Sequence, residues 1–407
     1  MKLDHIGYMI KDIALAKKAF EPLGYFWGKT VIDEKRHIKI CFGKNQSSVI
    51  ELVEPIDSKS NIWNMLANRG ATPYHLCFSS SDILVDITEL QSCGYMLIEE
   101  PNEAIAFGNR KVAFLFEKNI GLVELVEKKE DAVVTICCIT YNHKNYIKKC
   151  LNGFLMQETR FPYEILIHDD CSIDGTLDIL KEYEKKYTNI KVLSESDNQF
   201  SKGVKIAFDI LLPLIKTKYV AICEGDDYWT DVHKLEKQVS FMEKNPDCVM
   251  TVHNGIKENI KNGEQVTINP FCESKYLDTE EMFMAFMNNP PTASFVLRMD
   301  ILNNYPKFIR NAPVVDDVLR LFYFSKGKVY YFDECMCRRH INHEWSWNTL
   351  LDNNKNMYEK YVYEILHFYD LFNEYTHSKY QEYVKQVKRK IRNRFKHITG
   401  KAIKEGE

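Results

Sequence analysis

Apolar residues recur with two different rhythms along the 407-residue chain, and the change of rhythm marks a boundary. Up to residue 128 the pattern is one of short alternating segments, such as 37–42 and 111–116, which predict half-buried strands. Between them lie two amphipathic stretches, 12–24 and 82–94, each opened by an aspartate and closed by a glycine, which predicts two capped helices. Beyond the charged junction Glu127-Lys128-Lys129-Glu130-Asp131 the pattern changes to continuous apolar runs. Residues 133–140, 164–168 and 219–223 read as buried strands, and 145–157, 175–186 and 202–215 as the helices between them. Strand-helix alternation predicts a mostly parallel, doubly wound sheet with helices on both faces. The expected organisation is an α+β domain over 1–129, an α/β domain over 130–350 and a helical extension over 351–407.

The first domain contains an internal repeat of about 70 residues. Leu3-Asp4-His5-Ile6-Gly7-Tyr8 is answered by Pro73-Tyr74-His75-Leu76-Cys77-Phe78, and Val49-Ile50-Glu51-Leu52-Val53-Glu54 by Leu122-Val123-Glu124-Leu125-Val126-Glu127. Each half reads β-α-β-β-β. If a pseudo-twofold axis pairs the halves, His5, Glu51, His75 and Glu124 occupy equivalent positions on first and last strands and converge. Two imidazoles and two carboxylates suit a borderline divalent metal; taken singly, each is as readily a solvated or hydrogen-bonded strand residue.

At these residues the segment resembles the vicinal oxygen chelate superfamily, which includes glyoxalase I, methylmalonyl-CoA epimerase and extradiol dioxygenases, over nearly all of 1–128. The resemblance implies paired βαβββ modules cupped around a divalent metal such as Zn²⁺, Ni²⁺, Co²⁺ or Mn²⁺. Its implied ligands are His5, Glu51, His75 and Glu124. A metal so held polarises a substrate carbonyl and favours proton transfer at the neighbouring carbon, so epimerisation or isomerisation is the implied chemistry. No glutathione or CoA motif accompanies it.

In parallel sheets ligands bind beyond the carboxyl ends of the strands. There the second domain collects polar residues: Thr140-Tyr141-Asn142-His143, then Asp169-Asp170-Cys171-Ser172-Ile173-Asp174-Gly175-Thr176, then Glu224-Gly225-Asp226-Asp227. No phosphate-binding glycine loop occurs, so a metal held by carboxylates is the expected partner of a diphosphate. With Asn198 and Gly203 between them, these segments resemble the family 2 glycosyltransferases of the GT-A fold, from about 132 to 345. The resemblance implies that Thr140 and Asp169 contact the base and ribose of a nucleotide-sugar donor. Asp226 is implied to ligate Mn²⁺ or Mg²⁺, and Tyr141, Asn142, Asp170, Asn198, Glu224 and Asp227 belong to the same donor-binding segments. Glu224 stands where the family's DxD motif has its first aspartate.

An acid pair, Asp316-Asp317, opens a predicted helix, and by resemblance Asp317 is the general base and Asp316 the less favoured candidate. Both also fit a helix cap. Arg338-Arg339-His340 with Trp345-Ser346 resembles the family's YRxH segment with Cys337 in place of Tyr, which implies His340 at the diphosphate or the metal, a basic surface loop being the alternative. His343 is expected in solvent. The QxxRW signature of processive enzymes is absent. These features imply an inverting, hexosyl-type transfer of single sugars to a glycan or lipid-linked acceptor in surface polysaccharide assembly. Two rival readings stand beside it: the front domain supplies the main epimerase, isomerase or lyase activity, or one domain is a binding scaffold.

Composition adds little except at the tail. Hydrophobic residues make up 45% and charged ones 27%, ordinary for a folded chain. Twelve cysteines, several inside apolar runs, are expected as reduced, buried thiols, since no export signal is read at the start of the chain and no apolar run is long enough to span a membrane. Cys335-x-Cys337 lacks the second pair that a zinc site needs. A cytoplasmic protein is expected. Residues 385–404 carry nine Lys or Arg and no acid, so the rest of a chain of net charge −3 carries −12. Val384, Val387, Ile391, Phe395 and Ile398 form one apolar stripe of that segment. The pattern predicts either an interfacial helix at the inner face of a membrane or a helix docked on the protein. Nucleic acid is disfavoured by the acidic body, and homodimerisation is left open.

Overall fold

The computed structural model describes residues 1–128, 130–268, 271–284, 289–344 and 346–403, so Trp345 and the last four residues of the basic tail lie outside the described residues. The chain forms two compact units, Met1–Glu130 and Asp131–Glu407.

The first unit runs β1 (Lys2–Met9), α1 (Ile13–Phe20), β2 (Phe26–Trp27), β3 (Val31–Asp33), β4 (Ile38–Lys44), β5 (Val49–Pro55), α2 (Trp63–Arg69), β6 (Thr72–Ser80), α3 (Ile83–Ser92), β7 (Met96–Ala104), β8 (Arg110–Glu117) and β9 (Gly121–Glu127). Asp12 and Asp82 cap α1 and α3, accepting backbone N–H groups of Leu15 and of Leu84 and Val85. The sheet order is β2-β4-β5-β1-β6-β9-β8-β7, with β3 on β4. β1 lies parallel to β5 and β6 parallel to β9, while β1 and β6 pair antiparallel, joining the two βαβββ halves by their first strands. One face packs Cys41, Ile50 and Leu52 under Ile13 of α1, and Ala113, Leu115 and Leu125 under Ile83 and Ile87 of α3. The opposite face carries the residues described below.

The second unit runs β10 (Val134–Thr140), α4 (Ile147–Leu155), β11 (Tyr163–Asp169), α5 (Thr176–Lys186), β12 (Ile190–Ser194), β13 (Tyr219–Ile222), β14 (Tyr228–Trp229), α6 (Lys234–Lys244), β15 (Cys248–Asn259), β16 (Gln265–Thr267), β17 (Lys275–Tyr276), α7 (Thr279–Met284), β18 (Val296–Arg298), α8 (Met299–Leu302), α9 (Lys307–Asn311), α10 (Val315–Lys326), β19 (Lys328–Ile341), α11 (Trp347–Asn353), α12 (Lys355–Tyr375) and α13 (Gln381–Thr399). Strands β12-β11-β10-β13 are parallel, as expected. The continuation β18-β15-β19-β14 is mixed, because β18 runs antiparallel to both β13 and β15 and β14 antiparallel to β19. The sheet is therefore less uniformly parallel than the strand-helix rhythm predicts; the reversed strands β14 and β18 are short and lie outside the strand-helix alternation of 133–223. Two cores flank it, one holding Phe154, Leu180 and Trp229, the other Phe283, Phe322 and Tyr369.

Two helical expectations change. Residues 202–215 are not one α-helix but short turns, Phe200–Lys202, Ala207–Leu211 and Leu212–Leu214. Gly203 at φ 81° ends the first, and Pro213 lacks the amide that a continuing helix requires. The apolar stripe of α13 does not face outwards: Val384, Val387, Ile391 and Phe395 are buried in the same core as α10 and α12, with the Phe395 ring stacked on Tyr358 at 6.1 Å. Of the stripe, Ile398 is exposed. The reading as a membrane-inserted amphipathic helix is corrected accordingly, since its apolar face is occupied by the protein itself. No described helix is long and apolar enough to cross a membrane, and all twelve cysteines are unbridged.

Candidate functional site

In the first unit, strand register does the assembling. Gly7 lies beside both Glu51 and His75, and Cys77 beside both His5 and Glu124. Four ligand atoms, one each from His5, Glu51, His75 and Glu124, lie within 4.8 Å of one another, and all four residues are buried. His5 Nε2 is 3.2 Å from His75 Nε2, 3.3 Å from Glu124 Oε2 and 3.5 Å from Glu51 Oε2. His75 Nε2 is 3.2 Å from Glu124 Oε2 and 3.5 Å from Glu51 Oε2. A tetrahedron with metal–ligand bonds of about 2.0–2.1 Å has edges of about 3.3–3.4 Å, so these separations fit one divalent ion. Glu124 Oε2 is buried without a hydrogen-bond partner, a deficit that a central cation removes.

The cluster draws positive charge to its centre, a proton on His5 that a metal would have to displace. Burial opposes charge on His5, but hydrogen bonds with Asp4, Cys77, Glu124 and Glu51 outweigh it and raise its pKa. Burial likewise disfavours the Glu124 carboxylate, yet the facing His5 and His75 imidazoles hold its pKa down at about 2. Asp4 Oδ1 lies 3.0 Å from His5 Nδ1, which leaves Nε2 directed at the cluster. A Cβ at Gly7 would lie 2.0 Å from His75 Cε1, so only glycine leaves room for the imidazole. Phe42, Phe107, Phe114 and Tyr74 pack around the two imidazoles with ring-centroid separations of 4.5–5.7 Å.

In the second unit, Thr140 and Asp169 end adjacent parallel strands in direct register. Both are fully buried, and Thr140 Oγ1 and Asp169 Oδ1 lack hydrogen-bond partners. Burial raises the Asp169 pKa, although its other oxygen accepts the Ser172 amide at 3.0 Å. Asn142, Asp170 and Asn198 shape the loops. Asn142, at φ 55°, takes Ser172 Oγ on its amide and the Ile173 amide on Oδ1, both at 2.9 Å. Asp170 accepts the Gln199 and Phe200 amides at 2.6 and 3.1 Å, and Asn198 Nδ2 donates to the Asp170 carbonyl at 3.0 Å. Half-buried Tyr141 lies between Thr140 and Asn142 in the chain.

Past β13, Gly225 brings the acidic segment against the end of β10: a Cβ there would lie 2.7 Å from Thr140 Oγ1. Glu224, Asp226 and Asp227 crowd one place. Burial and the Asp226 charge push the Glu224 carboxyl up to about 7, and burial with Asp226 and Glu224 pushes Asp227 well above the ordinary range. Burial disfavours the charge on Asp226 as well, but His143 and His343 hold its pKa at about 2. Asp227 is engaged by the His340 amide at 3.0 Å, and His340 Nδ1 pairs with the Asp226 carbonyl. Asp226 and Glu224 thus share one concentrated negative field.

Asp316 and Asp317 open α10, whose N-cap is Val314 with no side-chain capping bond. Asp316 Oδ1 accepts the Asp317 amide at 2.8 Å. Asp317 Oδ1 accepts from Asn289 Nδ2 at 2.5 Å and Arg320 Nη2 at 3.2 Å. Burial and the Asp316 charge nevertheless raise the Asp317 pKa to about 6. Asp316 lies within electrostatic reach of Glu224, and Arg339 within reach of Glu224, Asp226, Asp227 and Asp316. Asp316 and the acidic segment thus lie close enough to feel one another's charge, with Arg339 near both.

Sequence reasoning missed several participants. His343, expected in solvent, is buried, and its Nε2 lies 2.8 Å from Asp226 Oδ2. Asn342, at φ 67°, turns the chain after β19 and brings His343 back; an Asn before a His just past a strand is the one available signal. Tyr146 packs against His340 and His343 with ring centroids 5.0 and 5.1 Å away. Arg320 and Asn289 carried no motif, and Arg339 lay in the segment read for His340 without a role of its own.

Residues 135–301 match the family model described as Glycosyl transferase family 2, and residues 4–114 that of the Glyoxalase/Bleomycin resistance protein/Dioxygenase superfamily. An uncharacterized protein of Mycobacterium tuberculosis is 39% identical over 120 residues, 30% of this chain and 34% of the relative. The UDP-Glc:alpha-D-GlcNAc-diphosphoundecaprenol beta-1,3-glucosyltransferase WfaP of Escherichia coli is 33% identical over 111 residues, 27% of this chain and 41% of the relative. The chain thus spans about a third to two fifths of these relatives' length. The S. aureus protein TarS, solved with UDP, is 18% identical with a TM-score of 0.45, covering 65% of this chain and 72% of that one. This chain joins a domain of the Glyoxalase/Bleomycin resistance protein/Dioxygenase superfamily to a Glycosyl transferase family 2 domain.

Proposed function

We propose that the second unit transfers a single sugar from a nucleotide-diphosphate donor to a glycan or lipid-linked acceptor in surface polysaccharide assembly, with inversion at the anomeric carbon. The observation that supports this reading is the common electrostatic neighbourhood of Glu224, Asp226 and half-buried Asp316, the neighbour of buried Asp317. Thr140 and Asp169 offer their unpaired oxygens to the nucleoside. Asp226, with Glu224, would hold Mn²⁺ or Mg²⁺, which neutralises charge developing on the leaving diphosphate. His343 and His340 hold the Asp226 side chain and backbone. Asp317 accepts the proton of the acceptor hydroxyl as that oxygen bonds to the anomeric carbon and the bond to the diphosphate breaks. Its pKa of about 6 leaves it ionised at neutral pH while keeping it a competent base. Arg320 and Asn289 orient it.

The preassembled ligand set of the first unit supports a second activity, in which His5, Glu51, His75 and Glu124 would hold a divalent metal. That metal would supply Lewis acidity towards a substrate carbonyl. The aromatic wall formed by Phe42, Phe107 and Phe114 keeps water from the centre.

The test is nucleoside-diphosphate release by the full chain from UDP-, GDP-, CDP- and dTDP-sugars with Mn²⁺, since slow donor hydrolysis needs no known acceptor. Release from one donor, lost in Asp226→Ala, supports the transferase. Neither release nor binding with any donor moves the main activity to the first unit.

A further inference from the structure

The basic tail keeps one unexplained property after folding. Its apolar stripe is buried, yet its charge is not consumed by the acidic body. On α13 the residues Lys385, Arg389, Arg392 and Lys396 follow at spacings of 4, 3 and 4, one stripe along a helix of 3.6 residues per turn. Lys385, Arg389 and Lys396 are exposed. Lys388 pairs with Asp370, Lys401 with Glu359 at 2.5 Å and Lys385 with Glu382 at 2.9 Å, and Arg392 is half-buried, so ion pairs fasten the flanks of the helix while Arg389 and Lys396 face solvent. Between Lys385 and Lys401 there is no acid.

The helix also adjoins the acceptor side of the site. Val387 and Ile391 of α13 and Val362 and Ile365 of α12 share one core with Val318 and Leu319 of α10, the helix that Asp316 and Asp317 open. A surface attracted to the basic stripe therefore lies next to the acid pair that would receive the acceptor.

We propose that α13 holds this protein by charge alone, without insertion, against an anionic membrane surface, placing the acid pair of α10 towards acceptors in that surface. The orientation towards acceptors rests on the transferase reading; the adhesion does not. Charge complementarity selects the occupant: a fixed row of cations on an otherwise acidic protein is repelled by its own kind and attracted to a plane of lipid phosphates. The attraction of each Lys or Arg to such a surface is screened within a Debye length of about 8 Å at physiological salt.

The experiment is co-sedimentation of the full chain with phosphatidylcholine vesicles, with and without about 30% phosphatidylglycerol. The expected result is binding to the anionic vesicles alone, reversed by about 0.5 M NaCl, and weakened on the order of tenfold to a hundredfold in Lys385→Gln/Arg389→Gln/Lys396→Gln. The charge-conserving Lys385→Arg/Arg389→Lys/Lys396→Arg restores it. Equal binding to neutral vesicles, persistence in high salt, or an unchanged triple glutamine variant that keeps its circular dichroism overturns the proposal. Binding to a DNA duplex as tight as to the anionic vesicles also overturns it. Loss of vesicle binding with donor hydrolysis intact removes this inference alone. Vesicle binding without donor hydrolysis removes the transferase reading and leaves the adhesion standing.

Discussion

The two candidate sites of this chain are built on opposite plans. In the first unit, four ligands come from four strands of one sheet, fixed by register and by a repeat that places each residue twice. In the second, the residues come from strand ends, loops and a helix, spread from Thr140 to His343, and hydrogen bonds to loop backbone set the geometry. A rigid, preassembled cluster suits one small cation and a compact substrate. A site assembled from loops suits a large donor that must enter and leave. The contrast teaches that convergence of ligands reports on scaffold rigidity and does not rank the importance of the two chemistries.

The strongest way to break the contrast is at the proposed base. Asp317→Asn keeps the shape and hydrogen-bonding reach of the side chain but removes the proton acceptor, and transfer is expected to fall on the order of a thousandfold while donor binding, measured by calorimetry, changes little. Transfer at the wild-type rate would remove Asp317 from the chemistry.

A smaller effect is expected at His343. If the imidazole positions Asp226, His343→Ala raises the Mn²⁺ concentration for half-maximal activity by about ten- to a hundredfold, with little change in kcat at saturating metal. An unchanged Mn²⁺ titration would make the 2.8 Å pair incidental.

The smallest effect sharpens the role of Asn289. Burial and Asp316 raise the Asp317 pKa to about 6, and the hydrogen bond from Asn289 works against them. The base works ionised, so activity falls as pH drops through that region. In Asn289→Ala the carboxylate loses a donor, and the acid limb of the kcat/KM profile moves to higher pH. A limb that stays in place assigns it to another group.

How much of this was legible in the sequence follows from the same contrast. His5, Glu51, His75 and Glu124 were readable because period-two alternation fixes which face a strand residue takes, and duplication repeats the pattern. The strand-end segments around Thr140, Asp169 and Glu224 were readable as motifs. His343 was not, because its position depends on a left-handed turn at Asn342 and on a partner more than a hundred residues earlier. Arg320 under Asp317 is a cation that composition alone sends to the surface. The reversal of β18 and the burial of the α13 stripe depend on what each element packs against, which no local pattern states.

The central claim is that the transferase site of the second unit works without the metal cluster of the first. It is tested most directly by measuring nucleoside-diphosphate release from the accepted donor, together with bound metal, in Glu124→Ala and Asp226→Ala of the full chain. The account predicts that Asp226→Ala abolishes release, and that Glu124→Ala loses the metal that co-purifies with the protein in Mn²⁺-free buffer yet releases diphosphate at near wild-type rate. Release that survives in Asp226→Ala but disappears in Glu124→Ala would contradict it.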